Sequence, residues 1–243
     1  MTSQKLTPAQ QNRLLVDKHY PGSMCIIAAA NNAYAGWLPL FEYCAMRAYP
    51  EYDVRTINLG DMPPYVSALV RFISPEIEEI AAKYDYCLIT DADILIGPED
   101  PNIVDQHCRS MEKHGTGCYD NCMLGDDRCP GVHFVTKEWW DKTRKARYML
   151  EACHSVLNAI EGADERALLS IINESNLAWP GLLPHPWAIH GLHAGKFRKI
   201  PRLDLDQFET DILTALQKDK AFLELLKLPA SPNLDRLFKK LIK

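Results

Sequence analysis

The sequence predicts an α/β fold with a mixed, mostly parallel central sheet and helices on both faces. Three observations predict it. The run Met24-Cys25-Ile26-Ile27-Ala28-Ala29-Ala30 is apolar throughout, as suits a strand buried on both faces. Stretches of strand and helix character then alternate through the first hundred residues, the pattern of a parallel sheet with crossover helices. Finally, a later apolar run ends in Asp91-Ala92-Asp93. That puts polar residues at the carboxyl end of a strand, where such sheets bind ligands.

Each element has a local reason. The first strand opens into Asn31-Asn32-Ala33-Tyr34-Ala35, and a helix follows from about Gly36 to Ala48. Tyr52 to Leu59 alternates as a second strand, stopped by Gly60 and Pro63-Pro64. A helical stretch covers Tyr65 to about Phe72. Ser74-Pro75-Glu76 then starts another helix, with an N-cap, a proline at its first position and an acid facing its positive end. Tyr84 to Thr90 forms the third strand. Residues 98–130 are rich in turn formers and give no clear element.

Gly131 to Thr136 reads as a further strand, and Lys137 begins a long helix whose apolar positions continue through Met149, Cys153, Val156, Leu157 and Ile160. Another helix runs from about Asp164 to Asn173. Short strand candidates between Leu177 and Ile189 are broken by Pro180, Pro184 and Pro186. Beyond Pro201, Leu205, Phe208, Ile212 and Leu216 have helical spacing, and residues 234–243 form a short basic amphipathic helix. The division expected is a helical extension over 1–20, a catalytic domain over 21–203 and a helical extension over 204–243.

Composition narrows the function. A chain of 243 residues can bury a sizeable core, and 47% hydrophobic with 24% charged residues is ordinary for a globular protein. A net charge of −5 gives no support for nucleic-acid binding. No apolar run is long enough to span a bilayer and the N-terminus lacks a signal-peptide pattern, so a cytoplasmic protein is expected. The basic residues near the C-terminus offer a peripheral contact with an anionic membrane face, or simply a solvated helix. Among eight cysteines, Cys108, Cys118, Cys122 and Cys129 cluster with His107 and His114. Free thiols in a reducing compartment are the first reading, and a zinc site or a disulfide the second.

The pair Asp91 and Asp93 is the strongest chemical signal. In an extended chain residues i and i+2 point to one side, so both carboxylates converge while Ala92 turns away. Two hard oxygen ligands suit Mg²⁺ or Mn²⁺. The plainer reading is a loop using aspartates as turn and cap residues.

Five stations, in order, carry a resemblance. They are Ala29-Ala30-Asn31-Asn32-Ala33-Tyr34-Ala35; Ala68-Leu69-Val70-Arg71-Phe72 with Pro75-Glu76; Asp91-Ala92-Asp93; Gly131-Val132-His133-Phe134-Val135 with Trp139 or Trp140; and His190 six residues before Lys196. Over roughly residues 24–198 the chain resembles the nucleotide-sugar glycosyltransferases of the Rossmann-like GT-A fold. The nearest match is the retaining family 8, which includes glycogenin and bacterial lipopolysaccharide galactosyl- and glucosyltransferases.

The resemblance implies a metal-dependent hexosyltransferase that takes a nucleotide sugar, a UDP-sugar by the family's habit, to an acceptor hydroxyl with retention. The acceptor is a glycan, lipid-linked or protein hydroxyl that the sequence does not specify. By the same resemblance, Asp91, Asp93 and His190 hold the metal, with His193 as a competing ligand. Ala29, Asn31, Asn32, Tyr34, Arg71, Ala92 and Lys196 then line the donor site together with the two aspartates. Asp164 and Glu165 stand where the family has an Asp-Gln pair beside the anomeric carbon, and an acidic pair beginning a helix is also ordinary dipole complementation. Three alternatives stand beside this reading: an inverting transferase of the same fold, a haloacid-dehalogenase-like phosphatase, and a degenerate nucleotide-sugar-binding or scaffolding protein.

Overall fold

A computed structural model describes residues 18–121, 132–151, 163–178, 190–195 and 205–238. In order, the elements are β1 (Met24–Ala30), a single 3₁₀ turn (Ala35–Trp37) leading into α1 (Leu38–Ala48), β2 (Asp53–Asn58), α2 (Pro64–Ile73), α3 (Pro75–Ala81), β3 (Tyr86–Thr90) and β4 (Ile94–Ile96). There follow α4 (Ile103–His114), β5 (Tyr119–Asn121), β6 (Val132–Thr136), α5 (Lys137–Glu151), α6 (Ala163–Glu174), β7 (Gly191–His193), α7 (Gln207–Lys218), α8 (Lys220–Leu225) and α9 (Asp235–Phe238).

The main sheet has the order β2-β1-β3-β6-β5. Strand β1 runs parallel to β2 and β3, and β6 runs antiparallel to both β3 and β5. Four strands therefore share one direction, giving the mixed, mostly parallel sheet that the alternating elements predict. A separate two-stranded ribbon pairs β4 with β7 antiparallel, Ile94 opposite His193.

Why β1 needs no polar residue is plain from its two faces. Met24, Ile26, Ala28 and Ala30 join one apolar cluster with α1 and α4, while Cys25, Ile27 and Ala29 join another with α3, α5 and α6. Ile26 and Ile27 have no exposed surface, and each such burial contributes on the order of 2 kcal/mol. The C-terminal helices share the first cluster through Ile212, Leu213, Leu216 and Phe222. Two glycines let them approach. A Cβ on Gly36 would lie 1.7 Å from the carbonyl oxygen of Ala230, and one on Gly97 would lie 2.5 Å from Ile212 Cδ1.

The turn-rich reading of residues 98–130 is corrected in part, because α4 and β5 lie within it. Asn102 caps α4 by accepting from the Asp105 amide at 2.9 Å, and Gly115 ends it in the left-handed region at φ 69°. Pro75 starts α3 as expected, but Ser74 makes no side-chain cap. The charged side chain of Arg147 is wholly internal. Arg147 donates to Glu78 at 2.9 Å, to the Thr143 hydroxyl at 3.0 Å and to the Trp140 carbonyl at 2.9 Å, tying α5 to α3.

Candidate functional site

Strand β3 ends at Thr90, and the chain turns at once: the Ile94 amide donates to the Asp91 carbonyl at 3.3 Å. Asp91 and Asp93 thus converge through a turn rather than through the extended alternation the sequence suggested. Asp93 is 8% exposed and Asp91 half-buried. Ala92 is buried, as its small side chain allows.

The third member of the cluster is His193. Asp91, Asp93 and His193 each offer a ligand atom, all within 4.8 Å of one another, and His193 Nε2 lies 3.3 Å from Asp93 Oδ1. The β4–β7 ribbon brings it there by setting His193 opposite Ile94, the residue after Asp93. The Ala194 amide extends the pairing, donating to the Asp93 carbonyl at 2.9 Å. Gly195 completes the cradle: a Cβ there would lie 1.7 Å from Asp93 Oδ2. Any side chain would occupy the space beside that carboxylate.

His190 is not part of this cluster. It has no exposed surface, its Nδ1 is bonded to Glu99 Oε2, and its Nε2 lies 2.8 Å from His107 Nε2. Its ring nitrogens are thus turned into a buried network, while its neighbour three residues on faces the carboxylates. Among the described residues, Cys108 and Cys118 are free, buried thiols and join no cluster of three potential metal ligands. Burial pushes the Cys108 thiol up to about 12. Cys122 and Cys129 lie outside the described residues.

Arg71 stands in the last turn of α2, and its Nη1 bonds to Asp91 Oδ1 at 2.5 Å. Its side chain is only 4% exposed, against 31% for Asp91. Arg71 therefore orients Asp91 from the protein side and leaves the carboxylate's other face toward solvent. Beyond it, the His133 imidazole is fully buried, and its Nδ1 receives Asn121 Nδ2 at 2.7 Å and faces the Tyr119 hydroxyl at 3.1 Å. Burial, with a smaller contribution from the Arg71 charge, holds its pKa well below the ordinary histidine value. Hence the cation beside Asp91 is the guanidinium alone. Two carboxylates thus share the cluster with one guanidinium and the His193 imidazole.

The loop after β1 sits at the same edge of the sheet, since Ala28 pairs with Thr90. Ala29 and Asn31 are buried and Asn32 is exposed. Asn31 Nδ2 donates to the Met62 carbonyl at 2.6 Å, and Asn32 Nδ2 donates to Asp61 at 2.8 Å. Both amides brace the loop that follows β2. Tyr34 is half-buried against the first cluster at the start of the 3₁₀ turn.

Asp164 and Glu165 lie in the first turn of α6, and Ala167 of that helix packs on Leu69 and Ile73 of α2, the helix that carries Arg71. Lys196 lies outside the described residues. From the sequence, His193 is only a competing ligand, and His133 has no role beyond its place in the Gly131–Val135 station. Only the strand pairing could promote His193, and the apolar flanks of His133 disguise it as one more core position.

No family model matches the sequence, and no curated protein does. Several solved structures of glycosyltransferases show some likeness to the chain. The galactosyltransferase LgtC, in complex with donor and acceptor sugar analogs, is 14% identical with a TM-score of 0.38, over 61% of this chain and 70% of that one. The apo form of GlyE, a glycosyltransferase of Streptococcus pneumoniae, is 12% identical with a TM-score of 0.42, over 64% of this chain and 44% of that one. The bifunctional WbbM is 12% identical with a TM-score of 0.41, over 93% of this chain and 52% of that one. At these scores the likeness is loose.

Proposed function

We propose that the chain is a glycosyltransferase of the GT-A type that moves a hexose from a nucleoside diphosphate sugar, a UDP-sugar, to an acceptor hydroxyl with the help of a divalent metal. The observation that carries this reading is the convergence of Asp91, Asp93 and His193 at the carboxyl end of β3, with Arg71 bonded to Asp91.

The donor set fits the metal. Two carboxylates and one imidazole combine hard and borderline ligands, which favours Mn²⁺ and admits Mg²⁺. The space beside Asp93 that a Gly195 Cβ would fill is consistent with a liganding carboxylate kept clear on one side. When bound, the metal supplies charge stabilisation for the departing diphosphate.

The protein's own groups do the rest. Arg71 holds Asp91 in one orientation. Asn31 and Asn32 fix the loop beside Tyr34, whose ring is the base-stacking candidate. In this reading Lys196 neutralises the diphosphate, and Asp164 and Glu165 serve the anomeric carbon. A carboxylate at Glu165 suits oxocarbenium stabilisation or covalent attack, the route to retention.

Thermal unfolding with UDP, GDP and ADP, each with and without Mn²⁺, tests the reading. Metal-dependent stabilisation by UDP, lost in Asp93→Ala, is the expected result. Slow Mn²⁺-dependent hydrolysis of a UDP-sugar, absent in the same variant, accompanies it. A wild-type protein that responds to no nucleotide, with or without metal, refutes the proposal.

A further inference from the structure

His190 is held more elaborately than a residue preceding a three-residue strand needs to be. Its φ is 59°, a left-handed conformation that residues with a Cβ seldom adopt. Its ring is fully buried, between Glu99 Oε2 on Nδ1 and His107 Nε2 at 2.8 Å on Nε2. His107, equally buried on α4, places its Nδ1 2.9 Å from Asp120 Oδ2 on β5 and stacks on Phe134 at 4.5 Å. Glu99, His190, His107 and Asp120 therefore form an unbroken line from the segment after β4, past β7 and α4, to the edge of the main sheet.

Hydrogen counting shows how tightly the line is specified. Three contacts between atoms that can all accept require three hydrogens. Charge-assisted hydrogen bonds of this kind are short and directional, and a low local dielectric strengthens them. They fix the ring of His190, and with it the left-handed backbone from which β7 starts.

That backbone needs fixing. A two-stranded ribbon of three residue pairs has little stability of its own. The Gly97 amide donates to the His190 carbonyl at 3.1 Å, and the Ala194 amide donates to the Asp93 carbonyl at 2.9 Å. Both bonds depend on where His190 sits. We propose that Glu99, His107, Asp120 and His190 are positioning residues: their hydrogen-bonded line pins β7 so that His193 and Gly195 stay against Asp93. The link to metal binding rests on the proposed reading of Asp91, Asp93 and His193 as a metal site.

The test compares Glu99→Ala, Glu99→Gln and Ile77→Ala in the full chain. A glutamine carbonyl can still accept from His190 Nδ1. Ile77 is fully buried in the cluster on the other side of the main sheet, so its truncation serves as a control for general destabilisation. Two quantities are read: Mn²⁺ affinity by calorimetry, and the exchange rate of the Ala194 amide relative to those of Ile26 and Ile27, which report global opening. Glu99→Ala should weaken Mn²⁺ binding about tenfold, the lower end of what lost support for a metal ligand costs. It should also speed relative exchange at Ala194 about tenfold, while Glu99→Gln recovers most of both and Ile77→Ala shifts neither. Relative exchange at Ala194 that stays within twofold of wild type in Glu99→Ala overturns the proposal, as does an equal shift in Ile77→Ala. If the wild-type protein binds no Mn²⁺, the metal reading falls, and exchange at Ala194 still decides the role of the line.

Discussion

Replacing Gly195 by alanine isolates the geometry of the carboxylate cluster. Gly195 is not among the glycines with positive φ, so its backbone accepts alanine without strain. What changes is one methyl group, whose carbon would lie 1.7 Å from Asp93 Oδ2 and 2.7 Å from its Cγ. Real Cβ contacts essentially never fall below 3.0 Å, so Asp93 must retreat by about 1.3 Å or the β7 turn must lift by as much. Metal–ligand distances tolerate about 0.2 Å. The required shift exceeds that several times over, so Asp93 leaves coordination range.

Losing a group that merely supports a ligand costs roughly 10–100-fold in metal affinity. Displacing a ligand itself should therefore cost at least about 100-fold. Overpacking at this largely buried carboxylate adds about 1–3 kcal/mol of destabilisation. Titration of Mn²⁺ followed by the paramagnetic resonance of the free ion reads the first quantity, and urea unfolding reads the second. An alanine variant that folds and binds Mn²⁺ within threefold of wild type would refute the reasoning.

Three further outcomes follow from other parts of the chain. Glu78→Gln removes the one carboxylate that, among the described residues, is bonded to the fully buried Arg147 guanidinium, and urea unfolding should show a loss of about 3 kcal/mol. Hydrogen bonding to Arg147 holds the Glu78 carboxyl below its usual range despite burial, so its contribution is present above about pH 4.3 and fades as pH falls further. The acid limb of the stability curve should accordingly be shallower in the variant. At His133 the window is higher: below about pH 6.5 the unfolded chain takes up a proton that the buried ring refuses, so stability declines by up to about 1.4 kcal/mol per pH unit. Calorimetry of His133→Gln, which keeps an acceptor for Asn121, should show that slope reduced by about one proton. Gly36→Ala meets a backbone carbonyl that cannot swing aside, and a fall in melting temperature worth about 2 kcal/mol or more is expected.

What the sequence shows plainly and what it hides divide along a physical line. Strands β1 and β3 are legible because burial on both faces demands an unbroken apolar run, and α3 is legible through its proline and acids. Helix α4 and strand β5 are not, because many of their buried positions are polar: Asp105, Gln106, His107 and Ser110 on the helix, Asp120 and Asn121 on the strand. His107 and Asp120 satisfy each other across the fold, and hydropathy along the chain carries no trace of such a partner. The same holds at the site. Asp91 and Asp93 stand out because two carboxylates beside a strand end are conspicuous. The choice of His193 over His190 depends on the Ile94–His193 pairing of two three-residue strands, which is invisible until both are placed.

The two apolar faces of β1 also bear on how the site comes into being. A strand with one polar face has its register enforced by solvent, because a slip of one residue exposes the wrong side chains. Strand β1 has no such proofreader. Only the sequence of volumes, isoleucines in its middle and alanines toward its end, distinguishes the right register from a shifted one. That distinction exists only after helices have docked on both faces and Met24 has met Tyr86 across a long stretch of chain. Pairing over such separations is the slow step of sheet assembly. The loop at Asn31 and the turn at Asp91 are set by the register of β1 against β3, so the cluster takes shape late, in the same event that commits the chain to its fold. A folding intermediate with native helices and a sliding β1 would hold every element of the protein and no site.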